Sequence, residues 1–423
     1  MRAIVELLKL IGKAPLVVRL VAAIAIGILL GLGLKGDAAV LGEIGVLVIK
    51  LLKALATPLV FFAVVDSFCR SEIPAKKGAI LLVICGVNAC AAGAIAIGLS
   101  SVISPGTRTD IAELQNALAG TKPESAPAGL KMDPLASLKE LIPDSVPDPF
   151  LKNNVLTIVL LAIVCGVALR RMRARGSGTA IFALVSEGFE LLATVLHGVV
   201  QIVPLAVLGV VAKVVGTSGF TVFKALAWLV ITVAAGLLIH VTVWYTTLII
   251  VIARRSPIGF FRAAREALAT AFATGSSMAT LPVTLHTLEH ELKVGHDSAR
   301  LAACVGTNFN NDGIMLYEVV AALFIAQING IDLTLAQKAQ LAVTSALAAA
   351  GIAGVPEAGF ITLALVLSSV GLPLTSLPVL LTVDWLLGRL RATTNVTSDL
   401  LVATVLDSVS GSSSEKDRET AKD

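Results

Sequence analysis

The sequence Asp384-Trp-Leu-Leu-Gly-Arg-Leu-Arg-Ala-Thr-Thr-Asn-Val-Thr-Ser-Asp399 lies inside a long hydrophobic segment near the end of the chain. An α-helix turns by about 100° per residue, so Asp384, Gly388, Arg391, Asn395 and Asp399 would share one stripe of a helix. A charged group inside a bilayer costs about 2.5 to 3.5 kcal/mol on insertion scales, and it is usually paired or faces a cavity. The stripe therefore indicates a binding site, an ion path or an internal network of ion pairs.

The composition places this stripe in a membrane protein. Hydrophobic residues make up 56% of the 423 residues and charged residues only 15%, which is outside the soluble class. The chain is therefore expected to be a polytopic helical protein whose surroundings are a lipid bilayer. The net charge of +4 gives no support for a nucleic-acid partner. The five cysteines have neither metal nor disulfide spacing, and no enzyme cofactor is expected.

The apolar runs of the first part of the chain predict six membrane-crossing helices. They cover residues 16–34, 40–68, 80–103, 155–169, 181–215 and 223–253. A polar, proline-containing stretch at 107–148 predicts an extramembrane loop. Basic clusters at 76–77, 170–175 and 254–255 follow the second, fourth and sixth runs. If the N-terminus is cytoplasmic, all three clusters lie on the cytoplasmic side, as the positive-inside rule requires.

Two later segments, 260–292 and 335–370, are interrupted at their centres rather than at their ends. The interruptions read Ala273-Thr-Gly-Ser-Ser-Met-Ala-Thr-Leu-Pro282 and Ala350-Gly-Ile-Ala-Gly-Val-Pro-Glu-Ala-Gly359. Such segments are typical of re-entrant hairpins, although kinked core helices are the structural alternative. Each is followed by an apolar helix with buried polar residues, at 304–326 and 377–402. Paired broken helices of this kind are typical of a transporter site near the bilayer midplane.

Four motifs in this region resemble those of the dicarboxylate/amino acid:cation symporters, the family that includes the glutamate transporters. They are Ser276-Ser-Met-Ala-Thr-Leu-Pro282, Asn310-Asn-Asp-Gly313, Gly354-Val-Pro-Glu-Ala-Gly359 and Asn395-Val-Thr-Ser-Asp399. The resemblance implies an all-α polytopic membrane protein with eight transmembrane helices plus two re-entrant helical hairpins. It further implies an elevator-type transporter with inverted repeats that forms homotrimers. We expect it in the bacterial inner membrane, with both termini cytoplasmic.

This resemblance divides the chain into five parts. They are helices 1–3 at 1–103, an extracytoplasmic loop at 104–152, helices 4–6 at 153–256, a transport core at 257–407 and a disordered cytoplasmic tail at 408–423. The core would contain both hairpins and the last two helices.

The resemblance also implies a substrate site. Arg391 would pair with a carboxylate of the substrate, Asp384 would orient Arg391, and Asn395 would contact the main carboxylate. The backbones of the two hairpin tips would cradle the substrate, at Ser276, Ser277, Met278, Val355 and Gly359.

Three positions depart from the pattern of amino-acid-transporting members. Gly388 stands where those members have an aspartate that holds the substrate's ammonium group, and Ala392 and Ile314 replace threonines. The glycine at 388 favours a dicarboxylate without an amino group as the substrate, although Ile314 also removes a carboxylate contact; an acidic or neutral amino acid is the alternative.

Cation sites are implied as well, because carboxylate and carbonyl oxygens suit a hard cation such as sodium. Asp399, with the main-chain oxygens of Gly306, Asn310 and Asn395, resembles one sodium site, and Asp312 with the Asn310 side chain resembles part of a second. Several positions differ from the family's usual ligands: Asn88, Ala89, Asn308 and Asn311.

Two further residues bear on the coupling ion. Glu318 stands where animal glutamate transporters have a proton-accepting glutamate, and Arg389 where they have an arginine linked to counter-transport. Our hypothesis is that protons replace one or more sodium ions as the coupling ion.

Other classes of function remain open at this point. His286-Thr-Leu-Glu289-His290 matches the H-x-x-E-H pattern of a zinc peptidase, but it lies at the cytoplasmic end of the first hairpin, where a solvated helix end is the favoured interpretation. A transport-dead receptor or an anion channel on the same fold is the other alternative to a carrier.

Overall fold

The structure is a computed structural model that describes residues 16–70, 75–108, 145–152, 155–219, 221–350, 358–374 and 377–410. Helices form nearly all of these residues, and no β-strand occurs among them. By length and composition, five spans of this described part could cross a membrane, and two shorter apolar helices accompany them. The prediction of an all-α polytopic protein is confirmed at this level. The eight crossings and the elevator arrangement stay predictions.

The first part of the fold follows the predicted apolar runs closely. Its helices are α1 (Leu16–Leu34), α2 (Gly42–Arg70), α3 (Ala75–Ile103), α4 (Asp148–Lys152), α5 (Val155–Ala174), α6 (Thr179–Ser218), α7 (Thr221–Ile239) and α8 (Thr246–Val251). Helix α5 continues past the predicted end at residue 169 into the arginine cluster. Arginine is a good helix former and its long side chain reaches toward water, so the helix need not stop where the apolar run stops.

The second part contains the hairpins and the two polar helices. Its helices are α9 (Pro257–Thr274), α10 (Ser277–His286), α11 (His296–Arg300), α12 (Asp312–Ile328), α13 (Leu335–Ala350), α14 (Ala358–Ser369) and α15 (Leu377–Ser410). Turns of π-helix extend α10 through Glu291 and α11 through Val305. The pairs α9/α10 and α13/α14 each pack arm against arm, as hairpins do.

The break between α9 and α10 is encoded by two adjacent capping residues. Gly275 has φ +66°, and its amide donates to the carbonyl of Ala271 at 2.8 Å, which ends α9 in a left-handed turn. The Ser276 hydroxyl accepts from the amide of Ala279 at 3.2 Å and so caps α10. The corresponding tip of the second hairpin, including Val355, lies outside the described residues.

Helix α6 packs along α1 and α2 and also contacts α15. A Cβ atom on Gly27 would lie 2.8 Å from the carbonyl oxygen of Leu208, and one on Gly31 would lie 2.7 Å from that of Ala212. Only glycine allows the two backbones to approach so closely, which is the small-residue packing that membrane helices use.

Helix α12 lies at the centre and positions the site. Every one of its residues except Gln327 is buried, and it packs against α3, α7, α13, α14 and α15. The sequence predicted a helix from residue 304, but α12 begins at Asp312. Asparagine side chains compete for backbone hydrogen bonds, so the Asn308-Phe-Asn-Asn311 stretch interrupts the helix. The interruption leaves polar side chains and backbone carbonyls in the middle of the protein.

Candidate functional site

A buried ion pair on α15 forms the first part of the site. The Arg391 guanidinium donates to both Asp384 carboxylate oxygens, at 2.6 Å and 3.1 Å, and the two side chains are 4% and 2% exposed. Seven residues separate the pair, so the helix brings them to one face after two turns. This contact agrees with the stripe read from the sequence. The pair's part in substrate binding stays a prediction.

The surroundings of Arg391 shape the space around its guanidinium. Its central carbon lies 4.2 Å from the centroid of the Tyr317 ring, a cation–π contact that the sequence did not indicate. A Cβ atom on Gly359 of α14 would lie 3.1 Å from that carbon and 3.4 Å from a methyl group of Ile314. A Cβ on Gly388 would lie 3.4 Å from the nearest guanidinium nitrogen, in ordinary van der Waals contact. Gly359 therefore allows α14 to reach the arginine.

Asn395 is held by α12 rather than left free. Its side-chain oxygen accepts from the amide of Gly313 at 2.8 Å, and its nitrogen donates to the side-chain oxygen of Asn311 at 3.0 Å. Ala392, one turn earlier on the helix, is also buried. The amide of Asn395 thus ties α15 to the start of α12.

Two polar side chains donate hydrogen bonds to the buried Asp399 carboxylate. Thr307 donates its hydroxyl to one carboxylate oxygen at 3.0 Å, and the Asn310 side chain donates to the other at 3.2 Å. Gly306 lies in the same buried turn as Thr307. The sequence pointed to Gly306, Asn310 and Asp399 here but missed Thr307. Its hydroxyl could have been suspected, because a polar residue one turn from other site residues in an apolar helix needs a partner.

Three side chains lie against one oxygen of the Asp312 carboxylate, and the sequence predicted none of these contacts. Its Oδ2 atom accepts from Tyr245 at 2.9 Å and from Ser398 at 2.7 Å, and the His240 ring nitrogen lies 3.3 Å away. His240 and Tyr245 are the first and last residues of the π-helical turn between α7 and α8, and this turn lets two residues five apart face the same carboxylate.

A second polar contact lies next to this carboxylate. Asn88 of α3 accepts from the Trp244 indole at 3.0 Å, and its nitrogen lies 3.5 Å from the Ser398 hydroxyl. Ser398 in turn lies 2.9 Å from the Asn310 side-chain oxygen. The clusters at Asp312 and Asp399 are therefore joined through Ser398. Ala89, the neighbour of Asn88, is half-buried.

The first hairpin tip meets α15 beside Arg389. The Arg389 guanidinium lies 3.5 Å from the carbonyl oxygen of Ala273, near the end of α9, and also donates to the carbonyl of Trp385. Ser276 and Ser277 are half-buried and Met278 is exposed. The amides of the first turn of α10 have no partners within the helix, so the tip offers donors to an anion.

Glu318 is fully buried on α12, directly after Tyr317. Its carboxyl lies beside Ser345 of α13 and Thr362 of α14. It therefore faces both arms of the second hairpin. The sequence gave this residue a possible part in proton coupling, and that role stays a prediction.

The H-x-x-E-H residues do not form a metal centre. The rings of His286 and His290 stack at 4.5 Å, while Glu289 pairs with His296 at 2.8 Å. Within the described ranges, no group of three or more histidine, cysteine, aspartate or glutamate side chains could hold a metal ion. The two stacked histidine rings are exposed, as expected for a helix end in contact with water.

Comparison with known proteins gives a match over nearly the whole chain. The model of the "Sodium:dicarboxylate symporter family" matches residues 16–409. Mouse excitatory amino acid transporter 3 is 35% identical over 262 residues, which cover 61% of this chain and 49% of that protein. Mouse excitatory amino acid transporter 1 is 36% identical over 287 residues, which cover 66% and 51%.

The chain spans about half the length of the relatives it matches. The matched family and these relatives are transporters, not enzymes, so the peptidase interpretation is set aside.

Proposed function

Because the chain belongs to the sodium:dicarboxylate symporter family, we propose that it is a secondary active transporter. It carries a small anionic carboxylate across the membrane together with sodium ions. The observation that supports this most directly is the arrangement on α15, where the buried Arg391–Asp384 pair and the Asp399 carboxylate lie on one helix. Eight residues separate Arg391 from Asp399, or about 12 Å along the helix axis. An anion and a cation could therefore bind side by side.

Arg391 is suited to select the substrate. Asp384 holds the Arg391 guanidinium in place through two hydrogen bonds, and the planar fork of a guanidinium matches the two oxygens of a carboxylate. The low polarity around the pair strengthens a charge-assisted contact. At the start of α10, the amides before Ala279 would bind a second anionic group.

Asp399 is suited to hold the coupling sodium. Its carboxylate supplies negative charge, and the Thr307 hydroxyl supplies a further oxygen ligand at the same point. Sodium is cargo in this scheme and leaves the site in each cycle. The main-chain oxygens of Gly306, Asn310 and Asn395 complete the proposed ligand set.

We propose that the substrate is a dicarboxylate, because the site supports this substrate class best. At position 388 the guanidinium has glycine beside it, so no carboxylate there could hold a substrate ammonium group. The names of the relatives support the alternative, an amino acid:cation symporter. Binding of succinate, malate, aspartate and glutamate to the purified protein separates the two.

Protons are proposed as additional or alternative coupling ions, with Glu318 as the carrier. Its burial between both arms of the second hairpin supports this part of the proposal. Uptake driven by a proton gradient in sodium-free medium is the expected result. Strict sodium dependence with no response to the proton gradient would refute proton coupling but would not contradict the proposal of a sodium symporter.

The architecture implied by the family forms part of the proposal. It comprises eight transmembrane helices, two re-entrant hairpins, an elevator movement of residues 257–407 and a homotrimer in the plasma membrane. Helix α6 packs most extensively with α1 and α2, and it also contacts α15 of the proposed moving core. Chemical cross-linking of the purified protein tests the trimer.

Uptake into proteoliposomes tests the function as a whole. We expect saturable accumulation of labelled succinate driven by an inward sodium gradient, and no accumulation without a gradient. Binding without accumulation would favour a transport-dead receptor, and a non-saturable flux down the substrate gradient would favour an anion channel. Either result would contradict the carrier.

A further inference from the structure

Three backbone carbonyls converge on one side-chain nitrogen at the centre of the protein. The Nδ2 atom of Asn311 lies 2.9 Å from the carbonyl oxygen of Ala349, 3.2 Å from that of Thr307 and 3.5 Å from that of Asn308. We call these three oxygens the carbonyl triad. Asn311 is 4% exposed, so no bulk water shares these contacts.

The triad is the kind of environment that attracts a cation. Ala349 lies in the last turn of α13, where carbonyls have no partner within the helix and the helix dipole is negative. Thr307 and Asn308 belong to the turn before the break at α12. Three neutral oxygens with a negative helix end would suit a hard monovalent cation, but here an amide group fills the position.

The orientation of the Asn311 amide is fixed by the hydrogen bond that its side-chain oxygen accepts. The Asn311 side-chain oxygen accepts from Asn395, whose own oxygen accepts from the backbone amide of Gly313. Turning the Asn311 amide around would place its oxygen against three carbonyls and its nitrogen against the Asn395 nitrogen. Both contacts would be repulsive, so one orientation alone satisfies the cluster.

We propose that the Asn311 side chain permanently takes the place of one coupling cation where α12, α13 and α15 meet. The amide supplies two N–H donors where an exchangeable ion would otherwise bind the triad. It follows that α13 is held against α12 without sodium, and that each transport cycle carries one ion fewer than a cation-occupied triad would require. The second statement rests on the proposed function, whereas the first does not.

An isosteric substitution gives a sharp test. Asn311→Asp keeps the shape of the side chain but replaces the donor with an oxygen, so the triad then faces a carboxylate and needs a cation. We expect the melting temperature of the purified Asn311→Asp protein to fall in choline chloride and to rise far more with sodium chloride than that of the unsubstituted protein. Asn329→Asp makes the same change at the end of α12, where the side chain bonds only the carbonyl of Ile325, and serves as the matched control.

Equal sodium-induced shifts in the unsubstituted protein and in Asn311→Asp would overturn the proposal. If Asn311→Asp does not fold, Asn311→Met removes the amide without adding charge, and it is expected to show a steeper sodium dependence of both melting temperature and uptake. An unchanged sodium dependence in Asn311→Met would also overturn it. The melting measurement needs no transport, so absence of uptake by the unsubstituted protein would refute the proposed function without deciding this inference.

Discussion

At the scale of single residues, Gly388 decides which substrate the arginine site can accept. A Cβ atom there would be in ordinary contact with the guanidinium, so a small side chain fits. We expect Gly388→Asp to supply an anion for an ammonium group. It should shift the ratio of aspartate to succinate binding by roughly tenfold or more, equivalent to about 1.4 kcal/mol. Titration calorimetry on the purified protein measures this ratio.

Gly388→Asn is the matched control for that change, because it has the same size without the charge. The ratio should stay near its original value in this variant. An equal shift in both variants would mean that volume, not charge, sets the preference, and would contradict the assignment of Gly388.

Arg391 gives a second prediction at this scale. Lysine keeps the charge but cannot make the two-point contact with Asp384, so Arg391→Lys should weaken succinate binding by roughly tenfold or more. Arg389→Lys is the control on the same helix, since its contacts are with backbone carbonyls that lysine can also reach. A thermal-shift titration measures both. Similar losses in the two variants would contradict a specific role for Arg391.

At the scale of helices, the approach of α14 to α15 depends on Gly359. An alanine methyl would lie 3.1 Å from the Arg391 guanidinium, tighter than nine in ten real contacts of this kind, so the guanidinium would have to move by a few tenths of an ångström. We expect Gly359→Ala to weaken substrate binding while far-ultraviolet circular dichroism stays unchanged. Gly98→Ala on α3, where no atom lies within 4 Å of the new Cβ, should bind normally. Normal binding by Gly359→Ala would show that the close approach is not needed.

The π-helical turn between α7 and α8 gives another prediction. It allows Tyr245 to donate to Asp312, a fully buried contact. Tyr245→Phe leaves the carboxylate with one donor fewer and should lower the free energy of unfolding by roughly 1–3 kcal/mol. Thr247→Val removes a hydroxyl that bonds only its own helix and should have a smaller effect. Equal melting temperatures for the two variants would contradict the conclusion that the hydrogen bond from Tyr245 to Asp312 stabilises the fold.

The sequence predicted features that depend on local signals and missed those that depend on packing between helices. Apolar length and capping residues are local signals, so the bounds of α1 and the break at Gly275 and Ser276 were predictable. A π-turn has no comparable signal, which is why the partnership of His240 and Tyr245 with Asp312 was missed. The spacing of Asp384 and Arg391 predicted a shared face, but the Tyr317 ring over Arg391 depends on packing between helices and has no local pattern.

At the scale of the whole molecule, α5 allows a test of how the chain crosses the bilayer. Its 20 residues make it about 30 Å long, of which the apolar run at 155–169 covers about 22 Å, and the arginines of its last turn would have to reach the membrane interface. Ser145 precedes this helix and Ser177 follows it, and both are exposed. The arginine cluster beside Ser177 indicates that this end faces the cytoplasm. The two serines should therefore lie on opposite sides of the membrane.

Cysteine labelling of intact cells measures this directly. In a variant whose five native cysteines are replaced by alanine, Ser145→Cys should react with a membrane-impermeant maleimide added outside. Ser177→Cys should react only after the membrane is permeabilised. Uptake by each labelled variant confirms that it is folded. Reaction of both cysteines from the same side would mean that α5 does not cross the bilayer. Since the order of crossings on either side of α5 depends on it, the eight-helix arrangement and the cytoplasmic placement of both termini would then be wrong together.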